Sequence, residues 1–402
     1  MAKMTPRTLS GFMELLPAPQ QQMERIMEVL RKTYSLYGFT PLDTPVIESS
    51  EVLLAKAGGE TEKQIYRFTK GDSDLSLRFD LTVPLAKYVA LHYNELSFPF
   101  RRYQIGKVYR GERAQRGRFR EFYQADIDII GDGRLSIINE AEIPAIIYKT
   151  FSTLGLKRFQ IRVNNRKILT GFYEMQGLSA QSGEIMRTVD KLDKIGMDGV
   201  EAELTEKGFA KEAITKFTQF LEKNDFSLDS LKDMLEDKEP AESLEKIMTT
   251  VKALSAGAYD VVFDLSLVRG QGYYTGTVFE VESIDFKGAI AGGGRYDNLI
   301  GKFLNQSIPA VGFSIGFERI FSILMQNGIE IPDGSKKIAV LYEDGHLTEA
   351  VKTAEKLRSE GMIASLYIKP KKTGKFLSKL EERGYAGFYN VEQAEEVSYF
   401  GA

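Results

Sequence analysis

Two runs of alternating apolar and polar residues constrain this chain more than any other feature. The first is Arg102-Tyr103-Gln104-Ile105-Gly106-Lys107-Val108-Tyr109-Arg110-Gly111-Glu112. The second continues through Arg116-Gly117-Arg118-Phe119-Arg120-Glu121-Phe122-Tyr123-Gln124 to Asp126-Ile127-Asp128. Period-two alternation on both sides of a short loop rich in glycine and arginine predicts an antiparallel hairpin. On extended strands Arg110 and Glu112 share a face, and so do Gln124, Asp126 and Asp128. One sheet surface would then carry guanidinium groups beside carboxylates and an aromatic ring, a combination suited to a ligand with both phosphates and an amine. The alternative is a solvated basic hairpin, since ion-pair networks are common on sheet faces.

Composition narrows the chemistry. The 402 residues suffice for two or three domains, and 43% hydrophobic with 27% charged residues is an ordinary soluble balance. A formal net charge of −3 argues against a uniformly basic binder but allows a local basic stripe. No apolar run approaches the roughly 20 residues that span a bilayer, and the N-terminus has no signal-peptide h-region. Cysteine is absent, which removes disulfides, a thiolate nucleophile and Cys-type zinc sites. These features predict a cytoplasmic protein. The two histidines, His92 and His346, stand outside any glycine-rich or acidic constellation and read as ordinary helix or loop residues. A serine–histidine triad or a His-rich metal centre is therefore not expected. Chemistry must run on Arg, Asp/Glu, Tyr and backbone groups.

Along the chain, residues 18–37 show helical spacing through Met23, Ile26, Met27, Leu30 and Tyr34, and Gly38 stops the run. The stretch from Phe39 to Glu48 reads as one strand whose prolines suit an edge. Leu75–Asp80 alternates as a strand, and Leu81-Thr82-Val83-Pro84 opens another helix. Between about 170 and 255 charged amphipathic helices dominate, including 209–223 and 243–254. They read as a helical insertion in a mixed sheet, with a structural spacer as the alternative. After Pro332-Asp333-Gly334 strands and helices alternate: 337–342, 347–358, 363–368, 374–383 and 385–389. That order predicts a small open α/β sheet. Lys369, Lys371, Lys372 and Lys375 form a basic cluster suited to RNA phosphates, or a solvated loop.

Further blocks point to a family. Phe263-Asp264-Leu265-Ser266-Leu267-Val268-Arg269-Gly270-Gln271-Gly272-Tyr273-Tyr274-Thr275-Gly276 carries a central arginine and paired tyrosines. Ala291-Gly292-Gly293-Gly294-Arg295-Tyr296-Asp297 and Gly312-Phe313-Ser314-Ile315-Gly316-Phe317-Glu318-Arg319-Ile320 follow. A lone glycine-rich run is weak evidence, but these blocks stand in order with the hairpin. The hairpin resembles motif 2 of the class II aminoacyl-tRNA synthetases, the helix–strand pair at 18–48 looks like motif 1, and the last block looks like motif 3. The two middle blocks resemble the histidine-specific signatures of the histidyl-tRNA synthetases. The resemblance extends over nearly the whole chain.

It implies an α/β (α+β) fold: a class II antiparallel sheet flanked by helices, a helical insertion and a small C-terminal open α/β domain. The expected division is 1–168 and 256–330 for the catalytic core, 169–255 for the insertion, which would help to hold the tRNA acceptor stem, and 335–402 for a shortened anticodon-binding-like domain. The implied activity is activation of L-histidine by ATP, then transfer to tRNA(His).

For ATP, the resemblance assigns Arg110 to the α-phosphate, where a planar fork of donors matches phosphate oxygens. Glu112 would accept from the adenine amino group and Phe122 would stack on the purine. Arg319 would cover the opposite face or the γ-phosphate, and Arg118 the phosphate tail. Mg²⁺ would bridge phosphates, with no metal held by the protein alone. Asp80, Thr82 and Gln124 map onto positions that hold the amine and carboxylate of histidine. Asp128, Tyr273, Tyr274 and Tyr296 map onto its side-chain pocket, where an imidazole needs both an acceptor and a donor. Arg269 matches the catalytic arginine, also beside histidine, in a place that a metal ion fills in related enzymes. Gln271-Gly272 departs from the Leu-Asp that commonly precedes the tyrosines. Arg113 and Gln115 match loop positions near the extra 5′ guanosine of histidine tRNA. A homodimer is implied, and neither a membrane nor DNA as a partner.

A rival of another class is the synthetase-like, histidine-sensing regulatory subunit of ATP phosphoribosyltransferase, a paralogue that does not charge tRNA. The short C-terminal unit favours it. Retention of Arg110, Glu112, Phe122, Arg319 and the Arg113-Ala114-Gln115-Arg116 loop favours the enzyme, because a histidine sensor needs no grip on ATP. A class II ligase for another amino acid is disfavoured by the Arg269 and Gly294-Arg295-Tyr296 blocks.

Overall fold

The computed structural model describes residues 5–54, 60–114, 117–175, 182–189, 191–223, 227–268, 272–332 and 334–401. The hairpin forms as its alternation predicts. Strands β2 (Phe100–Tyr109) and β3 (Glu121–Ile130) pair antiparallel along their full length, with Arg102 opposite Asp128 and Val108 opposite Phe122. They lie within an eight-stranded sheet of the described residues, which also contains β1 (Thr40–Pro41), β4 (Phe159–Asn165), β5 (Val261–Phe263), β6 (Thr277–Ser283), β7 (Phe286–Tyr296) and β8 (Ala310–Gly316). The spatial order is β1-β2-β3-β8-β7-β6-β4-β5. The six central strands run antiparallel, and the short outer strands β1 and β5 pair parallel with β2 and β4. The sheet is mixed and mainly antiparallel, as the sequence predicts.

Helix α1 (Pro17–Leu36) buries Ile26, Leu30 and Tyr34, and Gly38 follows with φ +76°, which lets the chain turn out of the helix. The run from Phe39 to Glu48 is not one strand. Thr40–Pro41 pairs with β2, whereas Ile47–Ser49 joins a separate three-stranded sheet with Arg67–Lys70 and Ser73–Leu77. Pro41 and Pro45 lack the N–H that a continuous ladder needs, so the chain changes sheets between them. The strand expected to reach Asp80 ends at Leu77, and helix α2 (Thr82–Leu91) begins after a short link. Helix α3 (Ile138–Thr153) buries Ile143, Ile147 and Phe151, and helix α4 (Phe317–Gln326) buries Phe317, Ile320 and Leu324.

Between β4 and β5 the described chain is helical: Arg166–Met175, Ser182–Val189, Leu192–Glu206, Lys211–Lys223, Leu228–Met234 and Glu239–Ser255. Phe217 packs on Phe172 and Tyr173 at ring-centroid distances of 6.1 and 5.3 Å. These helices belong to the same compact unit as the large sheet, residues 1–14 and 26–329.

The second compact unit comprises Leu15–Arg25 and Glu330–Ala402. Within it Gln22 and Arg25 bond the backbone of Ile331, each at 2.9 Å. Its sheet runs β10 (Ile363–Ile368), β9 (Lys337–Tyr342), β11 (Gly387–Asn390), β12 (Ser398–Tyr399). Central β9 is buried on both faces, Ile338 and Val340 on one and Ala339 and Leu341 on the other. Strand β12 escapes a sequence reading because two residues are too few to show a period.

Close approach of β7 and β8 requires glycine at 293. A Cβ there would lie 2.6 Å from Phe313 Cα and well inside van der Waals contact of Gly312 O. Gly293→Ala should therefore lower stability by about 3 kcal/mol, the upper range for overpacking. The check is thermal melting beside wild type; an unchanged midpoint would contradict this packing.

Candidate active site

The strands β3, β8 and β7 form the floor of one cleft, with about 930 Å³ of space that opens to solvent. Register aligns its polar groups. Gln124, Asp126 and Asp128 of β3 lie opposite Gly316, Ser314 and Gly312 of β8. The glycines leave room, since a Cβ on Gly312 would collide with Asp128 Oδ1. Polar side chains can therefore stand on a sheet floor where larger neighbours would crowd them.

At the hairpin-tip end stands a cationic and aromatic group. Arg110 and Glu112 both line the cleft, although β2 ends at Tyr109 and they lie just past it. Their common face comes from the turn, not from strand alternation. Arg110 gives Nε to Phe79 O at 2.9 Å and Nη2 to Gln124 Oε1 at 3.3 Å, and it lies 5.1 Å from the Phe122 ring centroid. The guanidinium is thus aimed before any ligand arrives. Arg118 sits 3.7 Å from Glu112. Arg319 donates to Ala289 O and lies 5.9 Å from the Phe286 ring centroid.

About 20 Å along the floor, six residues of extended strand from Phe122, the other end is carboxylate and phenol. Tyr296 donates its hydroxyl to Asp128 Oδ1 at 2.5 Å, and Tyr273 packs on Tyr274 and Tyr296 at 4.8 and 5.8 Å. Burial pushes the Asp128 carboxyl up to about 7, with the Asp126 and Asp80 charges adding to the rise; Arg102 and the Tyr296 hydroxyl oppose it. Burial first, then the Asp128 charge, raises the Tyr296 phenol well above its usual range, so it remains a donor. Gln124 spans the two ends: it accepts from Arg110 and gives Nε2 to Ser314 Oγ at 2.8 Å.

Of the residues singled out from sequence, the cleft brings together Thr82, Arg110, Glu112, Arg118, Phe122 and Gln124 from the first half of the chain. Asp128, Tyr273, Tyr274, Tyr296 and Arg319 join them. Asp80 lies deeper than the lining: its Oδ1 accepts the Val83 N–H at 3.0 Å, and burial pushes its carboxyl up to about 6. Arg113 is exposed and does not line the cleft. Arg269 and Gln115 lie outside the described residues.

Sequence reasoning gave no role to Asp126, Ser314, Phe286 or Glu318. Asp126 shares the period-two face with Gln124 and Asp128, and that signal could have found it. Ser314 and Glu318 depend on partners 190 and 195 residues distant, and Phe286 on the fold of Arg319 over its ring. The arginine of the Gly294-Arg295-Tyr296 block points away from chemistry: Arg295 is bound to Glu140 at 2.6 Å and Asp297 at 2.9 Å. Among the described residues no group of three or more His, Cys, Asp or Glu side chains could hold a metal ion. No helix of the described residues is long and apolar enough to cross a membrane.

Comparison with known proteins matches residues 11–320 to the family model described as histidyl-tRNA synthetase. The histidine–tRNA ligase of Clostridium tetani is 48% identical over 382 residues, covering 92% of this chain and 87% of that protein. The crystal structure of histidyl-tRNA synthetase from Nostoc sp. PCC 7120 superposes with a TM-score of 0.82 at 36% identity, covering 96% of this chain and 91% of that one. A Bacillus halodurans structure described as an ATP phosphoribosyltransferase regulatory subunit/histidyl-tRNA synthetase gives 0.78 at 21% identity, over 96% and 98% of the two chains. At that identity the likeness concerns the fold alone.

Glu318 allows a test of the site's electrostatics. It starts α4, its Oε1 accepts the Tyr123 N–H at 2.8 Å, and burial pushes its carboxyl up to about 7. A carboxyl that holds its proton more tightly folded than unfolded favours folding below the ordinary Glu range. That contribution is lost as pH rises through about 7. Glutamine keeps the acceptor and stays neutral. The stability of Glu318→Gln relative to wild type should therefore rise by on the order of 2–3 kcal/mol between pH 5 and pH 8. Denaturation at both pH values checks this, and a difference that stays constant would refute the buried charge.

Proposed function

The chain belongs to the histidyl-tRNA synthetase family, and from that premise we propose how its cleft activates and transfers histidine. It is an aminoacyl-tRNA synthetase, a histidine–tRNA ligase. A carboxylate oxygen of L-histidine attacks the α-phosphorus of ATP, the bond to pyrophosphate breaks, and histidyl-adenylate forms. A terminal ribose hydroxyl of tRNA(His) then attacks the activated carbonyl, and AMP leaves. The observation that carries the residue assignment is one cleft with two chemically distinct ends, Arg110 with Phe122 at the first and Asp128 with Tyr296 at the second.

Arg110 aligns the α-phosphate and meets the charge that builds there, as a preoriented guanidinium does without reorganising during the reaction. Glu112 reads the adenine amino group, Phe122 and Arg319 enclose the purine, and Arg118 meets the phosphate tail. Mg²⁺ would be held through the phosphates of the nucleotide, where it would supply positive charge beside Arg110 and Arg118. Asp80, Thr82 and Gln124 hold the amine and carboxylate of histidine. Asp128 accepts from the imidazole, beside Tyr273, Tyr274 and Tyr296. Arg269 faces the α-phosphate opposite Arg110, a role that rests on the match of its motif.

Residues 169–255 would support the acceptor stem and residues 335–402 the anticodon arm. Exposed Val46 and Ile47, in the segment that resembles motif 1, and Phe68 on the same three-stranded sheet as Ile47 support a homodimer. A cytoplasmic setting fits this chemistry. The regulatory-subunit reading is not favoured, because the close relatives over most of the chain are ligases.

The deciding experiment is aminoacylation of total tRNA with labelled histidine, run beside histidine-dependent pyrophosphate exchange. Wild-type protein that binds histidine but does neither would overturn the reading. Arg110→Ala should slow exchange by about 10²–10³-fold while the KM for histidine moves little. An equal rise in both substrates' KM with kcat unchanged would place Arg110 in general binding instead.

Transfer has its own test. Arg can pair with guanine edges or phosphate, and Gln can add a neutral contact. Arg113→Ala combined with Gln115→Ala should spare pyrophosphate exchange and slow charging, and wild-type charging should weaken steeply with added salt. Single-turnover transfer from preformed adenylate measures this, and a normal transfer rate in the double variant would remove the loop from tRNA contact.

A further inference from the structure

Beneath the amino-acid end of the cleft lies a charged group that does not touch it. Arg102 of β2 stands directly across from Asp128 of β3, with Nη2 at 2.7 Å from Asp128 Oδ2. The guanidinium is 0% exposed and the carboxylate 3%. Arg102 also gives Nη2 to Leu81 O at 3.2 Å, whereas its Nε and Nη1 have no hydrogen-bond partner among the described residues. Asp128 lines the cleft and Arg102 does not. Asp128 Oδ2 has this ionic contact but no aligned N–H donor.

Such an arrangement is poor as a stability device. A buried ion pair seldom outdoes packed apolar residues of similar volume, and this one leaves two guanidinium donors unsatisfied. Its effect falls instead on Asp128. The groups that face this carboxylate are Arg102 from β2, Asp126 two residues along β3, Tyr296 from β7 and Asp80 from the link before α2. Two of those four are acids and one is a phenol, so Arg102 is the cation that opposes them. Gly312 of β8 contributes space alone.

We propose that Arg102 is a positioning residue for amino-acid selection: it anchors Asp128 from below the cleft, favours the charged form of that side chain and aims it at the ring of the bound substrate. The proposal rests on the reading of Asp128 as the acceptor for the imidazole. It separates two tasks on one floor, with Asp128 touching the substrate and Arg102 acting only through Asp128. Loss of Arg102 would leave three buried acids, Asp80, Asp126 and Asp128, in one layer. Asp128 would then hold its proton more tightly still and present a hydroxyl at neutral pH where the ring needs an acceptor.

The test is pyrophosphate exchange by wild type, Arg102→Gln, Arg102→Lys and Asp128→Asn, with KM for histidine and for ATP measured from pH 6.5 to 9. Ratios of variant to wild type at each pH cancel the titration of histidine itself. For Arg102→Gln the KM for histidine should rise by about tenfold or more near pH 7, as loss of a buried polar contact does. The penalty should shrink as pH rises and Asp128 ionises unaided. ATP KM should stay within about twofold, since no ATP contact is altered. Arg102→Lys, which keeps the charge, should recover part of the loss. A histidine KM in Arg102→Gln equal to wild type, or equal losses for both substrates at every pH, overturns the proposal. If Arg102→Gln does not fold, Arg102→Met, which removes the charge but keeps a chain of similar length, decides on the same readouts: a histidine KM equal to wild type from pH 6.5 to 9 overturns the proposal. Wild type without histidine-dependent exchange would strike the functional reading itself. Asp128→Asn with an unchanged histidine KM would strike the role of Asp128 and this proposal with it, while leaving the ligase reading in place.

Discussion

A carboxylate buried in a sheet resists ionisation unless a cation is fixed beside it, and the fold around the cleft places cations that offset part of that burial. Arg102 opposes Asp128 across the β2–β3 ladder. Arg78 lies under the same strands, giving Nε to Lys107 O at 2.8 Å and reaching Asp43 at 3.3 Å. Backbone space is allotted accordingly. A Cβ on Gly106 would lie 2.6 Å from Arg78 Nη2, and one on Gly312 would overlap Asp128. Glycine thus leaves the space that a charged side chain occupies against a neighbouring strand.

The hairpin was legible because a strand half-buried on one face writes a two-residue period into its sequence. That period alone aligned Gln124, Asp126 and Asp128, and the central helices and the C-terminal α/β order were readable for similar reasons. Boundaries were less legible. Arg110 and Glu112 leave the strand before they reach the cleft, and the stretch from Phe39 to Glu48 divides between two sheets because its prolines cannot continue a ladder. Depth was not legible at all. Nothing local distinguishes Asp80, folded back onto the Val83 N–H, from Thr82 on the cleft wall. The contacts of Gln124 with Ser314 and of Tyr123 with Glu318 join residues 190 and 195 positions apart. No periodicity can announce such pairs; only the adjacency of β3 and β8 creates them. The roles assigned to individual residues came from resemblance to a family, and the geometry adds which of them share one space.

Asp128 and Tyr296 place an acid and a phenol together at one end of the cleft, and each constrains the other. Burial holds the Tyr296 proton in place, so its hydroxyl always donates to Asp128 Oδ1. That bond occupies one carboxylate oxygen and fixes the plane of the group. Arg102 supplies charge to the other oxygen from a direction that leaves no aligned donor upon it. The carboxylate is therefore oriented twice and still has accepting capacity left. A ring nitrogen bearing a proton matches that remainder, whereas an apolar side chain of similar size would leave the buried oxygen unpaired. Discrimination by an unsatisfied acceptor exceeds what shape alone gives, because the wrong ligand forfeits a hydrogen bond in a place that water cannot repair.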